Sequence, residues 1–448
     1  MQQHDTVIIG AGLTGLSTAF NLKNAGRDVL VLEKQNRIGG QIRTYTENGF
    51  TFESGPNTGV VSFPEVAELF QQLEGSCQLE TACESSKRRL IWKGNRFHAL
   101  PAGPLSAITT PLFTLSDKFR ILGEPWRKKG DDPDESVGSL AQRRLGRSFY
   151  EYAVDPFISG VYAGDPMKLC TRYALPKLYN LEANYGSFIR GAIAKGKEPK
   201  SSRDRLATKK VFSAVGGLQH LVEALAKGVN IITGASDVRV MPDKEHRWRV
   251  TYDGGSKVVY CRHVITTVGA YALPEVLPFV DQALMHPISS LYYAPVIQVC
   301  VGVRQAGSRR MPAFGGLVPS CEQQKVLGIL FPSECFVQRA PEGGALYSYF
   351  MGGARHTDYM QKSDEEIRQM VLDSFHTMLK YPADVEPDLI RIFRHERAIP
   401  QYRSDSGLRL QAVSSIQQQY PGLIIAGNLR DGIGMGNRIY QAANITLD

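Results

Sequence analysis

The spacing of apolar residues changes character several times along the chain, and each change predicts an element. Residues 6–10, TVIIG, form a short β-branched run suited to a buried parallel strand. In residues 13–26, LTGLSTAFNLKNAG, the apolar Leu16, Ala19, Phe20 and Leu22 recur at helical intervals before Gly26. DVLVLE then returns to strand and ends at Glu33, so the segment predicts a compact βαβ unit. Farther on, RWRVTYDGGSKVVYCRHVITTV alternates through Trp248, Val250 and Tyr252, turns at Asp253–Gly254–Gly255 and comes back, which predicts a hairpin feeding a sheet. APVIQVCVGV, FGGLVP, KVLGILFP and ALYSYFMGG, within 283–360, predict successive strands of an antiparallel sheet. SDEEIRQMVLDSFHTMLK predicts an amphipathic helix with a Ser363–Glu366 capping box and a core-facing stripe of Ile367, Met370, Val371, Phe375, Met378 and Leu379. Near the carboxyl end a strand at Leu423–Ala426 turns through Gly427, Asn428, Gly432, Gly434 and Gly436 into a helix. Residues 103–207 follow a different habit: mixed helical spacing, punctuated by proline, with apolar PLSAITTPLF near the basic RKK of 127–129. No internal repeat is visible.

Composition alters this picture little. The 448 residues, 43% of them hydrophobic, suffice for roughly two or three domains with real cores. Seven cysteines are scattered and never spaced C-x-x-C, which indicates neither a disulfide framework nor a zinc knuckle and suits a reducing compartment. No basic-then-apolar leader and no apolar run of the ~18–20 residues a spanning helix needs stands out, so the chain reads as cytoplasmic, neither secreted nor integral. Charge matters more. The net charge is +8, and between Arg190 and Lys210 eight basic residues stand against Glu198 and Asp204, among glycine, proline and serine. That stretch reads as a solvated loop, either a plain surface excursion or one drawn to anionic lipid at ~1 kcal/mol per basic residue. Nothing interleaves aromatic with basic residues, so nucleic acid is not indicated.

The first βαβ unit carries the chemistry. Gly10 permits a sharp turn, Gly12 lets the backbone approach a diphosphate, and Gly15 lets the helix pack closely on its strand. Ala11, Leu13 and Thr14 complete a loop whose free amides lie at the positive end of the helix dipole. Glu33 falls 18 residues after Gly15, where a carboxylate accepts the hydroxyls of an unphosphorylated ribose, with Lys34 beside it. RIGGQIRT follows. There Gly39 and Gly40 allow a second close approach, Gln41 adjoins them, and Arg43 supplies a cation for the same diphosphate. Simple NAD dehydrogenases lack this extension.

These segments resemble the FAD-binding signature of the glutathione-reductase-like flavoproteins, especially the amine oxidase and protoporphyrinogen oxidase branch. KRRLIWKGNRFHALPAGP (87–104), DPFISGVYAGDP (155–166), FSAVGGLQHLVEAL (212–225) and AIPQYR (398–403) occur between the flavin motifs in the order found in the oxygen-dependent protoporphyrinogen oxidases, over almost the full chain. The resemblance implies an α/β fold in three parts: a discontinuous Rossmann-like FAD-binding domain (1–75, 208–282 and 418–448), an inserted antiparallel-sheet substrate domain (76–102 and 283–417), and a mostly helical membrane-facing domain (103–207). It implies FAD, held additionally by the turn Gly55, Pro56, Asn57 and Thr58, by the backbone at Val238 near the adenine, and by Gly427, Asn428, Ile433, Gly434 and Met435 at a second helix start.

The activity so implied is oxidation of protoporphyrinogen IX to protoporphyrin IX in haem synthesis, with FAD accepting a hydride at a time and oxygen reoxidising it to give peroxide. Coproporphyrinogen III is the alternative substrate, and an amine or a carotenoid precursor the more distant one. Within the family pattern Arg89, flanked by Lys87 and Arg88, pairs with a propionate; Leu317, Leu330 and Phe350 wall the macrocycle; the carbonyl of Gly160 and the side chain of Asn57 lie at the reacting centre. Read without the family, these are an exposed arginine, core residues of strands and a packing glycine. No Ser/His/Asp order, paired carboxylates or metal-ligand spacing appears, so no metal is indicated, and a lone histidine such as His98 reads as a satisfied residue. Glu53 replaces the family's more usual aspartate, and Arg430 and Asp431 stand where many relatives have small or uncharged residues; each is a place where a flavin contact could shift. The partners implied are a tetrapyrrole, oxygen and an anionic membrane touched peripherally, with a homodimer left open.

Overall fold

In the computed structural model, which describes residues 2–447, the opening segment folds as β1 (Gln2–Ile9), α1 (Leu13–Asn24) and β2 (Val29–Glu33). β1 lies between β2 and the strand Lys257–Thr266, parallel to both. Asn230–Thr233 extends the sheet beyond β2, and Leu423–Ile425 runs parallel beside Val264–Thr266. The hairpin predicted around Asp253 is present: Arg247–Tyr252 pairs antiparallel with Lys257–Thr266, and Arg239–Asp243 adds a further strand, giving seven in all. Both faces of the central strands are buried, which explains their unbroken apolar runs. Val7, Ile9, Leu30 and Leu32 enter one core with the helices Gln282–Ser289 and Ser406–Gln419. Ile8, Val29 and Val31 enter the other, against α1 and the helices Pro64–Gln72, Gln219–Ala226 and Met435–Ala443. Gly436 thus lies inside the last helix, and Gly434 caps it.

The second sheet also has seven strands, in the order Leu389–Pro400, Tyr293–Val303, Ala345–Gly352, Gly328–Leu330, Gly315–Leu317, Arg89–Lys93, Arg96–Ala99. The antiparallel expectation needs one correction: Gly315–Leu317 runs parallel to Arg89–Lys93, so the sheet is mixed. It is built where an amino-terminal hairpin meets strands from much later in the chain, a junction that no local turn signal announces. One face, with Ile297, Val299, Ile329, Tyr349 and Met351, packs on Ile367, Met370, Val371 and Phe375 of the helix Asp364–Met378. That helix begins with the capping box: the Ser363 hydroxyl accepts from the Glu366 amide at 3.2 Å, and Glu366 accepts from the Ser363 amide at 2.8 Å.

Between Ala99 and Val211 the regular elements are short helices joined by loops, apart from one isolated bridge between Ser136 and Cys170. A buried ionic cluster organises this region. The Glu124 carboxylate, fully buried, caps the helix Phe188–Lys197 by accepting from the amides of Phe188 (2.9 Å) and Ile189 (3.2 Å), and it pairs with the equally buried Arg144 at 3.2 Å. Arg144 and Arg143 both reach Glu182, and Arg143 also pairs with Glu135. The basic stretch read as a solvated loop is therefore partly helix up to Lys197; Gly191 and Gly196 break its apparent periodicity, while Ser187 supplies the cap. Among the described residues no helix is long and apolar enough to cross a membrane.

Candidate active site

The first loop has the shape of a phosphate cradle. A Cβ at Gly15 would collide with the Gly10 carbonyl, one at Gly40 would stand 3.1 Å from the Gly12 Cα, and one at Gly12 would meet nothing within 4 Å. Gly15 and Gly40 thus bring helix and neighbouring turn against the loop, while Gly12 leaves its outer side open, a form that suits a dinucleotide diphosphate at an acid-free helix start. Glu33 is held by backbone amides: Oε2 accepts from Ala11 at 2.7 Å and Oε1 from Gln35 at 2.8 Å. The carboxylate is thereby fixed at the end of β2 with lone pairs to spare for hydroxyls. Lys34, next to it, is exposed. The segment leading to Val238 is tied to the same edge, since the amides of Gly234 and Ala235 donate to the carbonyls of Gln35 and Glu33.

Arg37 was not singled out by sequence reasoning. Its guanidinium folds over the Gly39–Gly40 turn and donates to the carbonyls of Ile38, Gly40 and Ile42; burial, then Arg43 nearby, lowers its pKa. Arg43 itself is exposed and stacks on Tyr45, 4.5 Å from the ring centroid.

The pairing register of the second sheet brings the four expected substrate residues to one face. Ile91, Leu317, Gly328, Phe350 and Gln298 form one row, and Arg89, Gly315, Leu330, Ser348 and Cys300 form the next. Rows two residues apart share a face, opposite the one covered by the helix Asp364–Met378. This face grips the segment 53–57. The Gln298 amide donates to the Glu53 carbonyl at 2.7 Å, His395 Nε2 donates to the Ser54 carbonyl at 2.5 Å, and the Ser348 hydroxyl donates to Asn57 Oδ1 at 3.1 Å. Asn57 Nδ2 donates in turn to the Gly55 carbonyl at 2.8 Å, so its amide is held from both ends. Gly55 admits no side chain, because a Cβ there would meet the Gln41 carbonyl; Pro56 and Thr58 are half-buried beside it.

The Glu53 side chain turns away from this face. It accepts from the Leu218 amide and the Thr44 hydroxyl, both at 2.8 Å, and so caps the helix Gln219–Ala226; burial pushes its pKa up, against those two donors. The departure from aspartate is thus absorbed in a structural contact.

Gly160 lies in the helix Asp155–Tyr162, entered through a π-helical stretch at Tyr150–Val154. A Cβ at Gly160 would come within 3.0 Å of Leu317 Cδ2, so helix and sheet touch there. The buried Asp155 anchors the helix by accepting from the Ser320 amide at 2.7 Å and from Arg355 at 2.6 Å. Arg89, at the edge of the face, is exposed with its guanidinium 4.8 Å over Phe314.

The second helix start is braced by residues that no local pattern revealed. Gln441 Oε1 accepts from the Gly427 amide at 2.9 Å, and Asn428 receives the Tyr293 hydroxyl on its side chain and the Tyr402 hydroxyl on its carbonyl. Buried Arg438 donates to the Arg430 carbonyl at 2.7 Å, while Arg430 and Gln441 both hold Asp431. Arg430 and Asp431 therefore stiffen the turn. Gly434 caps the helix, Met435 is buried in it, and Ile433 packs against the buried cluster that includes Tyr402 and Tyr162.

This combination of dinucleotide cradle, second helix start and facing sheet is that of a known class. The family profile of flavin containing amine oxidoreductases matches residues 13–432, and the chain belongs to that family. Within it, the similarity runs to protoporphyrinogen oxidases: the chain is 30% identical to the chloroplastic/mitochondrial protoporphyrinogen oxidase 2 of Arabidopsis thaliana, covering 96% of this chain and 91% of that one. It is 28% identical to protoporphyrinogen oxidase of Homo sapiens, over 97% of this chain and 95% of that one. A protein of Exiguobacterium sp. 255-15, provisionally named a protoporphyrinogen oxidase, shares the fold with a TM-score of 0.81 at 22% identity, over 99% of this chain and 97% of that one. Putrescine oxidase shares it with a TM-score of 0.68 at 15% identity, over 98% of this chain and 97% of that one, so the fold alone does not select the substrate.

Proposed function

We propose that this chain is an FAD-dependent protoporphyrinogen oxidase that dehydrogenates a porphyrinogen to a porphyrin, with oxygen as the final acceptor. The observation that carries this reading is the common sheet face, which directs Arg89, Leu317, Leu330 and Phe350 toward the side of the sheet that holds Asn57. FAD, when bound, supplies the hydride acceptor. The chain's own residues bind and orient. The Gly10–Gly15 loop, Glu33 and the turns at Gly39 and Gly55 receive the dinucleotide; Leu317, Leu330 and Phe350 give the macrocycle an apolar wall; Arg89 meets a propionate at the exposed margin. The Gly160 carbonyl and the Asn57 amide offer polar contacts at the reacting carbon and its pyrrole neighbour. Loss of hydride from a meso carbon is assisted by the pyrrole nitrogen, so positioning is the larger demand on the protein.

The helical region supports peripheral membrane contact. Leu105, Ile108, Leu115, Phe119, Leu122 and Trp126 are each at least 66% exposed, and Leu115, Phe119 and Leu122 recur on one helical stripe. Arg127, Lys128 and Lys129 follow directly. The substrate, an apolar macrocycle, partitions toward the same phase.

The test is a direct one. Purified protein with a flavin spectrum should convert protoporphyrinogen IX into fluorescent porphyrin with oxygen uptake, and coproporphyrinogen III is the comparison substrate. Arg89→Ala should raise KM about tenfold with a smaller change in kcat, as for loss of one charge-assisted contact. Equal turnover by the variant would remove the propionate assignment, and turnover of coproporphyrinogen III in preference would move the enzyme to the alternative reaction.

A further inference from the structure

The sheet order sets the Gly10–Gly12 loop, at the carboxyl end of β1, between two flanks: β2 on one side and the strand Lys257–Thr266 on the other. Each flank adjoins a further residue. On the β2 side it is Gln41, whose turn rests on the loop through Gly40. On the other side it is Tyr271, a few residues past Thr267; the Thr267 hydroxyl donates to the carbonyls of Ile9 (3.1 Å) and Gly10 (3.0 Å).

Arg397, from the edge strand Leu389–Pro400, meets both flanks. Its carbonyl accepts from Gln41 Nε2 at 3.3 Å, and its guanidinium lies 4.1 Å from the centroid of the Tyr271 ring. The other arginines of that strand are committed, Arg391 to Glu47 and Arg394 to Asp364, whereas among the described residues no carboxylate pairs with Arg397. Stacking on an aromatic face fixes a guanidinium and leaves its edge donors available. A cation so held, between the Gln41 turn that rests on the glycine loop and the Tyr271 segment that follows Thr267, has the chemistry of a diphosphate contact.

We propose that Arg397 bridges the mouth of the cofactor cleft and supplies a guanidinium to the diphosphate of the bound dinucleotide, with Tyr271 and Gln41 as its supports. This rests on the flavin reading above. It adds a contact from the substrate sheet to a site otherwise built from the first one, and it complements Arg43, which stacks on Tyr45.

Three probes separate the parts of the ligand: FAD, ADP, which has the diphosphate and no flavin ring, and riboflavin, which has the ring and no phosphate. Binding to the full-length apoprotein is followed by calorimetry or fluorescence at two salt concentrations. Arg397→Ala should weaken FAD and ADP about tenfold, or about 1.4 kcal/mol, leave riboflavin within about twofold, and flatten the salt dependence. Arg397→Lys should recover part of the loss, and Tyr271→Leu, which removes the stacking support, should shift ADP in the same direction. Unchanged ADP affinity in Arg397→Ala overturns the proposal, and so does an equal loss for riboflavin, the mark of general disruption. Wild-type protein that bound neither FAD nor ADP would overturn the flavin reading itself, an outcome distinct from a defect confined to the variant.

Discussion

Gly160→Ala tests the contact between the helix Asp155–Tyr162 and the sheet face. The backbone of Gly160 does not need a positive φ, so alanine fits the helix and gains about 0.5–1 kcal/mol over glycine there. The added methyl would fall within 3.0 Å of Leu317 Cδ2, and the Leu327 carbonyl stands 3.9 Å away on another side. Leu317 must therefore yield, at the ~1–3 kcal/mol that overpacking costs. The two effects together leave folding between unchanged and destabilised by about 2.5 kcal/mol. Activity should suffer more, because the residue displaced is the one proposed above as a wall of the substrate site: a shift of about 1 Å lowers kcat/KM by ten- to a hundredfold. Thermal unfolding and porphyrin fluorescence assays on the same preparation read the two quantities. Gly160→Ala/Leu317→Ala should relieve the clash and be more stable than the sum of the single changes. Wild-type kcat/KM in Gly160→Ala would refute the reasoning, since it would mean that Leu317 can move without affecting the site.

Other parts of the molecule give predictions of different kinds. Glu124→Gln leaves Arg144 buried with one carboxylate fewer and weakens a helix cap, so the helical region should lose about 3–5 kcal/mol and become the first target of limited proteolysis, with Glu124→Leu/Arg144→Leu recovering much of the loss. His263 and His395 both have pKa values lowered by burial; for His263, Asp5 opposes this while Arg247 and Arg27 add to it, and for His395 the Ser54 carbonyl opposes it. The folded state thus holds both neutral while the unfolded chain takes up protons below about pH 6.5, so stability should be level above that pH and fall as pH drops below it. Urea unfolding between about pH 7.5 and 5.5 measures this slope, and His263→Gln should reduce it. Phe119→Ser/Trp126→Ser should cut co-sedimentation with anionic vesicles while turnover in detergent stays at the wild-type level.

What the sequence disclosed depended on how local the determinants were. The βαβ unit, the Asp253 hairpin and the Ser363–Glu366 helix are each specified by neighbours in the chain, and all three fold as expected. The strand Leu389–Pro400 stayed hidden because it mixes Arg391, Arg394, His395, Glu396 and Arg397 into an edge position, where solvated charges replace the apolar alternation. The helix Phe188–Lys197 was obscured by its two glycines. At the site, the close turns of the glycine loop and the place of Glu33 at the strand end were legible because their spacing alone specifies that geometry. Gln298 and Ser348 were not, since each acts through a hydrogen bond to a segment far away in sequence, and Arg37 and Gln441 were not, since their bonds go to turn carbonyls, an amide and neighbouring side chains that no apolar periodicity records.

The grip of the second sheet on residues 53–57 constrains how a bulky macrocycle can arrive. Gln298, His395 and Ser348 fasten one end of that seam, while Arg339 secures another by donating to the Ser213 hydroxyl and the Ala214 carbonyl. Two slabs stitched in this way do not hinge apart. The helical region has its own polar ties to the sheet: Asp155 with Ser320 and Arg355, Asp165 with Arg355, Tyr152 with Glu322, and Lys93 with the carbonyls of Pro111 and Leu112. Passage of a ring system is thereby left to the borders of the sheet face that this seam does not close, the one where Gly160 meets Leu317 among them.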